Sequence, residues 1–294
     1  KKNIVHKKMK KILILLTIAI FLVGCGSGSG QEAASYNFKQ GIGQLKVSFL
    51  DNAPPDKLYP GSDFKMILKV DNQQAYDVLN GRIVLVGLDD SYFKVQPNYQ
   101  EFQELKGRSL LIPGGDKQFF EFDGLAEELF QNSVQYNNPY FVEVHYDSSL
   151  DFTDTVCINP NLYETYDSGC KRKDRSSYGG QGAPLAVTNM EQIVFPSGTG
   201  ASVEFRLELS NRGRGKVGFI NLGNGKLGGK PIKCEFVGKH LVDKRRVELK
   251  SKQQQTKLVC KTFLNDQRSY ETTLNVDFTY DYDISEQHQL TMVR

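Results

Sequence analysis

The sequence predicts an all-β chain built as two tandem antiparallel β-sandwiches, on three observations. Apolar and polar residues alternate with period two, and turns bearing Pro and Gly punctuate the alternation. The same order of strands also returns in the second half, at an offset of about 134 to 140 residues.

Residues 1–24 are set apart from that pattern. Lys10 and Lys11 precede an apolar run from Ile12 to Val23, and Leu22-Val23-Gly24-Cys25 follows as a cleavage site. The run is shorter than the roughly 20 apolar residues a spanning helix needs. It resembles the signal peptide of bacterial and archaeal lipoproteins. That resemblance implies that Cys25 becomes the lipid-modified first residue of a membrane-anchored, extracytoplasmic protein. Met9 reads as the true start, with residues 1–8 upstream of it. Gly26 to Ala34 is small and polar, the composition of a flexible tether, so residues 25–41 form the lipidated Cys and its leash.

The first sandwich is expected over residues 42–158. Leu45, Val47 and Phe49 alternate with polar residues, as do Phe64, Met66, Leu68 and Val70. Tyr59-Pro60-Gly61 and Pro113-Gly114-Gly115 are turns, and a short helix fits only around Leu125 to Gln131. Residues 159–183 read as a linker, in which Tyr163, Tyr166 and Tyr178 are candidate contact residues or mere packing. The second sandwich is expected over residues 184–294. Val203, Phe205, Leu207 and Leu209 alternate against Glu204, Arg206 and Glu208, and Asn224-Gly225 reads as a turn. Leu274, Val276, Phe278, Tyr280 and Tyr282 make a long closing strand. Tyr146-Asp147 through Val156-Cys157-Ile158 aligns without a gap onto Tyr280-Asp281 through Leu290-Thr291-Met292. There is no Trp, which excludes an antibody-type Cys–Trp–Cys core.

Besides Cys25 there are four cysteines, an even set that suggests disulfides in an oxidising compartment. Proximity favours Cys157–Cys170 and Cys234–Cys260. Cys157 falls out of register with Val156 and Ile158, so it is expected to point away from the first core and clamp the linker. Cys234 shares a face with Ile232 and Phe236 and is expected inside the second sandwich. Without a C-x-x-C pair, a zinc or thioredoxin-like reading is poor, and no metal or cofactor is implied.

The aromatic-Pro start, the alternating strand ending at Asn72 or Asn211, the Pro-Gly-Gly turn and the Tyr-bearing closing hairpin resemble the CARDB-like, Ig-type domains of prokaryotic surface proteins. Asn211-Arg212-Gly213 fits that pattern better than Asn72-Gln73-Gln74, which lacks the Gly. The resemblance implies an Ig-like fold, a surface location and an adhesive or architectural role, and no catalytic residues.

Charge is the remaining signal. Residues 31–170 carry 10 basic and 21 acidic side chains, a net −11, whereas residues 171–294 carry 21 and 13, a net +8. Between Ser210 and Lys261 there are 14 Lys or Arg against Glu235, Asp243 and Glu248. Arg212, Arg214, Lys244, Arg245 and Arg246 are therefore the candidate contacts for an anionic partner: protein, glycan or lipid headgroup. The plainer alternative is a solvated basic face. Nucleic acid is not expected, given the extracytoplasmic address. An acidic half nearest the membrane would hold this basic half outward.

Other chemistry is thinly represented. Gly218 to Gly223 has the first spacing of a phosphate-binding loop, but Asn224 stands where Lys is required. A flexible hairpin over Gly213 to Gly229 is the simpler reading. Asp147, Asp151 and Asp154, or Asp89 and Asp90, match no calcium-loop spacing. His145, His240 and His288 accompany no nucleophile motif. The expectation is a non-catalytic binding or architectural module. An accessory or degenerate cell-surface hydrolase with a site at the domain junction is the alternative.

Overall fold

The computed structural model describes residues 37–130, 132–159, 169–197, 200–250, 254–265 and 269–294. The signal segment, Cys25, Tyr163 and Tyr166 lie outside the described residues. Within them the chain is all-β and antiparallel. The first half supplies β1 (Leu45–Phe49), β2 (Asp63–Asn72), β3 (Val78–Val86), β4 (Phe93–Val95), β5 (Tyr99–Leu105), β6 (Lys117–Ala126) and β7 (Gln135–Ile158). The second supplies β8 (Arg175–Ser177), β9 (Leu185–Ser197), β10 (Gly200–Asn211), β11 (Lys216–Leu227), β12 (Lys230–Pro231), β13 (Lys233–Val237), β14 (Arg246–Glu248), β15 (Gln255–Leu264) and β16 (Tyr270–Val293).

Each half has its own sheet, ordered β1-β2-β6-β4 in the first and β13-β15-β10-β9-β8 in the second. Both pack on one shared sheet, β12-β11-β16-β7-β3-β5, with β14 joined to β11. The shared sheet exists because β7 and β16, each 24 residues long, pair along their whole length. Phe38 to Arg294 is accordingly one compact unit.

The register reveals a symmetry. Asp147 pairs with Asp281, its own counterpart in the gapless sequence alignment, and equivalent residues then meet in reciprocal pairs, Tyr146 with Tyr282 and Ser148 with Tyr280. An approximate two-fold axis therefore crosses the sheet at Asp147 and Asp281. The ladder β3–β7 slips between Leu79 and Arg82, and β11–β16 slips at the equivalent place, between Val217 and Ile220. In the first bulge a Cβ on Gly81 would lie 1.9 Å from the Phe102 ring, so only Gly fits.

Alternation decides which face each strand buries. Along β7, Tyr140, Val142, Val144, Tyr146, Ser148, Leu150 and Phe152 all turn inward, as do Leu274, Val276, Phe278, Tyr280, Tyr282 and Ile284 along β16. Beyond the axis each long strand crosses into the other half. Phe49 of β1 packs edge-on against His288 at 4.9 Å, and Leu58 bridges to Met292. Conversely, Gln192 donates from Nε2 to the Cys157 carbonyl at 2.8 Å.

The strand-final asparagines are corner pins. Asn72 accepts the Gln74 N–H on Oδ1 (3.0 Å) and donates from Nδ2 to the carbonyls of Tyr76 (3.0 Å) and Leu105 (2.9 Å). Asn211 repeats the geometry, accepting the Gly213 N–H (3.0 Å) and donating to the Gly215 carbonyl (2.8 Å). Each thus satisfies backbone groups where the chain leaves one sheet for the other.

Three expectations are corrected. No helix forms at residues 125–130: Leu125 and Ala126 finish β6, and the Glu127 N–H donates to the Tyr92 carbonyl at 2.8 Å (Gln131 is outside the described residues). Asn224-Gly225 is not a turn but part of β11, just past an irregularity after Leu222, and a Cβ on Gly225 would lie 2.5 Å from Cys234 Sγ, which requires Gly there. The glycine-rich stretch is therefore mostly strand, and the hairpin turns at Gly228 and Gly229, both with positive φ. Cys157 falls outside the hydrophobic core that takes in its neighbours Val156 and Ile158, as its register implied, and is 7% exposed.

Both cysteine pairs form disulfides, with Cα–Cα distances of 5.8 Å for Cys157–Cys170 and 4.0 Å for Cys234–Cys260. Cys234 and Cys260 face each other in register across β13 and β15, so this bond staples neighbouring strands of one sheet.

Candidate functional site

The five basic candidates fall into two groups. Lys244, Arg245 and Arg246 sit where the chain turns into β14 at the edge of the shared sheet, and all three are exposed. Their cationic groups are nonetheless engaged. Lys244 Nζ lies 3.1 Å from Glu235, and Arg245 donates to the carbonyls of Leu222 (2.9 Å) and Gly223 (2.6 Å). The Arg246 guanidinium stacks on the Phe219 ring at 4.2 Å. Glu235, held also by Lys233, is pulled below the ordinary carboxylate range by those two ammonium groups.

Arg212 and Arg214 occupy the corner after β10. Backbone bonds fix them: the Arg212 N–H donates to the Pro184 carbonyl (2.7 Å) and the Arg214 N–H to Gln44 Oε1 (3.3 Å). Their side chains are exposed and make no ion pair among the described residues. No described hydrogen bond or ion pair joins this group to the first.

Part of the remaining positive charge on the second half is paired in place. On the outer face of β13-β15-β10, Glu204 takes both Arg206 (2.6 Å) and Lys261 (2.7 Å), which lower its pKa, the Lys261 hydrogen bond most. Glu191 takes Arg175 (3.2 Å) and Arg206 (3.5 Å).

The outer face of the shared sheet is acidic, a feature the sequence reading missed. Asp147 faces Asp281 and Asp151 faces Asp277 across the central ladder. Directly opposed like charges cost stability. Burial first, then the neighbouring carboxylates, push Asp277 and Asp281 above their ordinary range. Partial compensation comes from Lys39 Nζ on Asp151 (2.8 Å), Asn80 on Asp147 (3.0 Å) and the Phe219 N–H on Asp281 (2.8 Å). Asp147, Asp151, Asp281, Lys39 and Asn80 line an open groove of about 680 Å³ that Arg246 also borders. The alternation of β7 with β16 could have disclosed this face, had their mutual register been known.

Behind that face, the junction between the halves is filled. Gln74, fully buried, donates to Tyr146 Oη (3.2 Å) and accepts from Ser148 Oγ (3.2 Å) and Tyr280 Oη (3.3 Å). Burial pushes the Tyr146 and Tyr280 hydroxyls far above the ordinary tyrosine value. Tyr282, bonded to the Gly215 N–H, is pushed up to about 12. The alternative placed a hydrolase site at this junction, where the structure brings together Gln74, Tyr146, Ser148 and Tyr280.

Two of the three candidate histidines have structural partners. His145 Nδ1 lies 2.6 Å from Asp283, opposite it in the ladder, and His288 packs against Phe49 and Tyr140, where burial lowers its pKa. Asp89 caps its own turn by accepting from the Ser91 N–H (3.0 Å) and Tyr136 (2.9 Å). Asp154 accepts from Tyr178, which packs edge-on against Phe152 rather than standing free. Among the described residues no group of three or more His, Cys, Asp or Glu is arranged to hold a metal ion. No described helix is long and apolar enough to cross a membrane.

No protein-family model matches the sequence, and no curated protein matches it. Solved structures with related arrangements include the E. coli chaperone DraB, at 14% identity over 70% of this chain and 84% of that one, with a TM-score of 0.20. The secreted serine protease VesC of Vibrio cholerae gives 15% identity, 83% and 50% coverage and a TM-score of 0.21. The CupB6 tip adhesin of Pseudomonas aeruginosa gives 9%, 86% and 99% coverage and 0.20. At such scores these likenesses carry no argument about function.

Proposed function

We propose that the protein is a lipid-anchored, extracytoplasmic surface lipoprotein, held to the membrane through Cys25. In this reading it is a non-catalytic binding or architectural module of two CARDB-like, Ig-like halves, and its basic second half meets an anionic partner. The observation that carries the proposal is the contrast between the two basic groups. Arg212 and Arg214 are exposed and make no ion pair among the described residues, while Lys244, Arg245 and Arg246 are occupied by Glu235, backbone carbonyls and Phe219. Recognition is therefore assigned chiefly to the corner after β10, and edge stabilisation to the other three. Two disulfides fit an oxidising compartment.

The test is salt-titrated binding of the chain to anionic vesicles, envelope glycans and co-purified surface proteins. Binding that weakens steeply with salt and is lost in Arg212→Glu/Arg214→Glu is the expected result. Binding unchanged after reversal of all five positions would refute the basic-surface assignment.

A further inference from the structure

The loop between β5 and β6 carries an unusual tip. Leu110 and Leu111 are 77% and 94% exposed, and Leu111 is the most exposed large apolar side chain described. They are presented by an ordered scaffold. The Ser109 N–H donates to the Ile112 carbonyl (3.0 Å), and the Ile112 N–H donates back to Ser109 Oγ (3.2 Å). The Gly115 N–H closes the following Pro-Gly turn onto the Ile112 carbonyl (3.0 Å), and the Asp116 N–H reaches the Lys106 carbonyl (2.9 Å). Positions of this kind ordinarily go to Gly, Asn, Asp or Pro, so two leucines there are held in water by the fold.

The place of this tip in the fold says what covers it. Arg108 stacks over the ring of Phe38 at 5.5 Å, so the loop stands where the described chain begins. The same spot gathers positive charge. The Arg108 N–H donates to the Gln74 carbonyl, the adjacent Gln73 N–H donates to the Gln44 carbonyl, and the Gln44 side chain accepts from the Arg214 N–H. Lys106 and Lys117 flank the tip and are exposed; Lys117 lies 3.8 Å from Asp71, and Asp77 and Asp116 accept the N–H groups of Gly107 and Lys106.

From this geometry we infer that Leu110 and Leu111 insert into the interface of an anionic lipid bilayer, with Lys106 and Arg108 on its headgroups. The inference rests on the lipid-anchor reading. Twelve residues lie between Cys25 and Phe38, and the thirteen steps span at most about 45 Å when extended, so the loop stays within reach of the membrane that holds Cys25. An apolar tip with basic neighbours supplies an attachment additional to the anchor.

The chain contains no Trp, so Leu111→Trp introduces a single reporter without background. Expected is a blue-shifted indole emission, quenched by brominated acyl chains, on adding phosphatidylcholine vesicles with phosphatidylglycerol, and a much weaker response without phosphatidylglycerol. Leu110→Ser/Leu111→Ser should lower partitioning about tenfold or more. Mass spectrometry of Cys25 reads the anchor separately. Lipid on Cys25 with an indole that stays in water would overturn the inference and leave the anchor standing. An unmodified Cys25 with a shifted indole would remove the anchor and support the loop. Equal responses on both vesicle types would overturn the roles of Lys106 and Arg108. A shift only with added surface protein would replace the bilayer by a protein partner.

Discussion

Replacing Asn72 with Ala deletes a fully buried carboxamide and strands three buried backbone groups: the Gln74 N–H and the carbonyls of Tyr76 and Leu105. Each lost bond costs about 1–1.5 kcal/mol net, so Asn72→Ala should destabilise by about 3–4 kcal/mol. Asn211→Ala removes the equivalent pin from a half-buried corner, where water can take over the Gly215 carbonyl, and about 1–2 kcal/mol is expected. Equilibrium unfolding in guanidinium, followed by circular dichroism and tyrosine fluorescence, reads both numbers. The 24-residue ladder ties the halves together, so both substitutions should shift one common transition with an unchanged slope. Two refuting results are possible. Equal costs at both corners would defeat the burial argument. Two transitions, each moved by only one substitution, would show that the ladder does not couple the halves.

Removing the Cys157–Cys170 link, 13 residues apart, should cost about 3 kcal/mol, and removing Cys234–Cys260, 26 apart, slightly more, as measured by unfolding of the Ala pairs. Gly81→Ala drives a methyl into the Phe102 ring and should destabilise by about 1–3 kcal/mol, with partial recovery in Gly81→Ala/Phe102→Leu. Asp277→Asn should raise stability at neutral pH by about 0.5 kcal/mol by removing a like charge opposite Asp151. Because the folded pKa of Asp277 is raised, the native state holds this proton more tightly than the unfolded one, and stability is lost as pH rises through the carboxylate range. The gain from Asn should therefore fade as pH falls through that range, which thermal melts at several pH values would detect.

The strands were legible because alternation is a local property: Phe64, Met66, Leu68 and Val70 are buried where the pattern places them. The repeat was legible too, and its gapless stretch is the one whose two copies face each other at Asp147 and Asp281. What alternation cannot carry is the partner of an edge. Nothing local in Gln135–Ile158 says that its neighbour lies more than a hundred residues away, although 24 uninterrupted residues far exceed an ordinary strand of about 5–6. The same gap hid the acidic face, which arises only from the register. Gly225 misled for a different reason: Asn-Gly signals a turn, but here Gly is needed to clear a disulfide sulfur. Among the basic candidates, composition located the charge, whereas only the contacts separated engaged Arg245 from unpaired Arg212.

The reciprocal pairing about Asp147 and Asp281 is the register two identical subunits would adopt across a symmetric interface, with like meeting like on the axis. Joining both copies in one polypeptide changes the thermodynamics of that interface. In a dimer of separate subunits its formation would depend on dilution, and each unmated subunit would display a 24-residue open edge inviting foreign strands. Covalent continuity makes the union intramolecular and insensitive to abundance, so a sparsely expressed molecule is as fully assembled as a plentiful one.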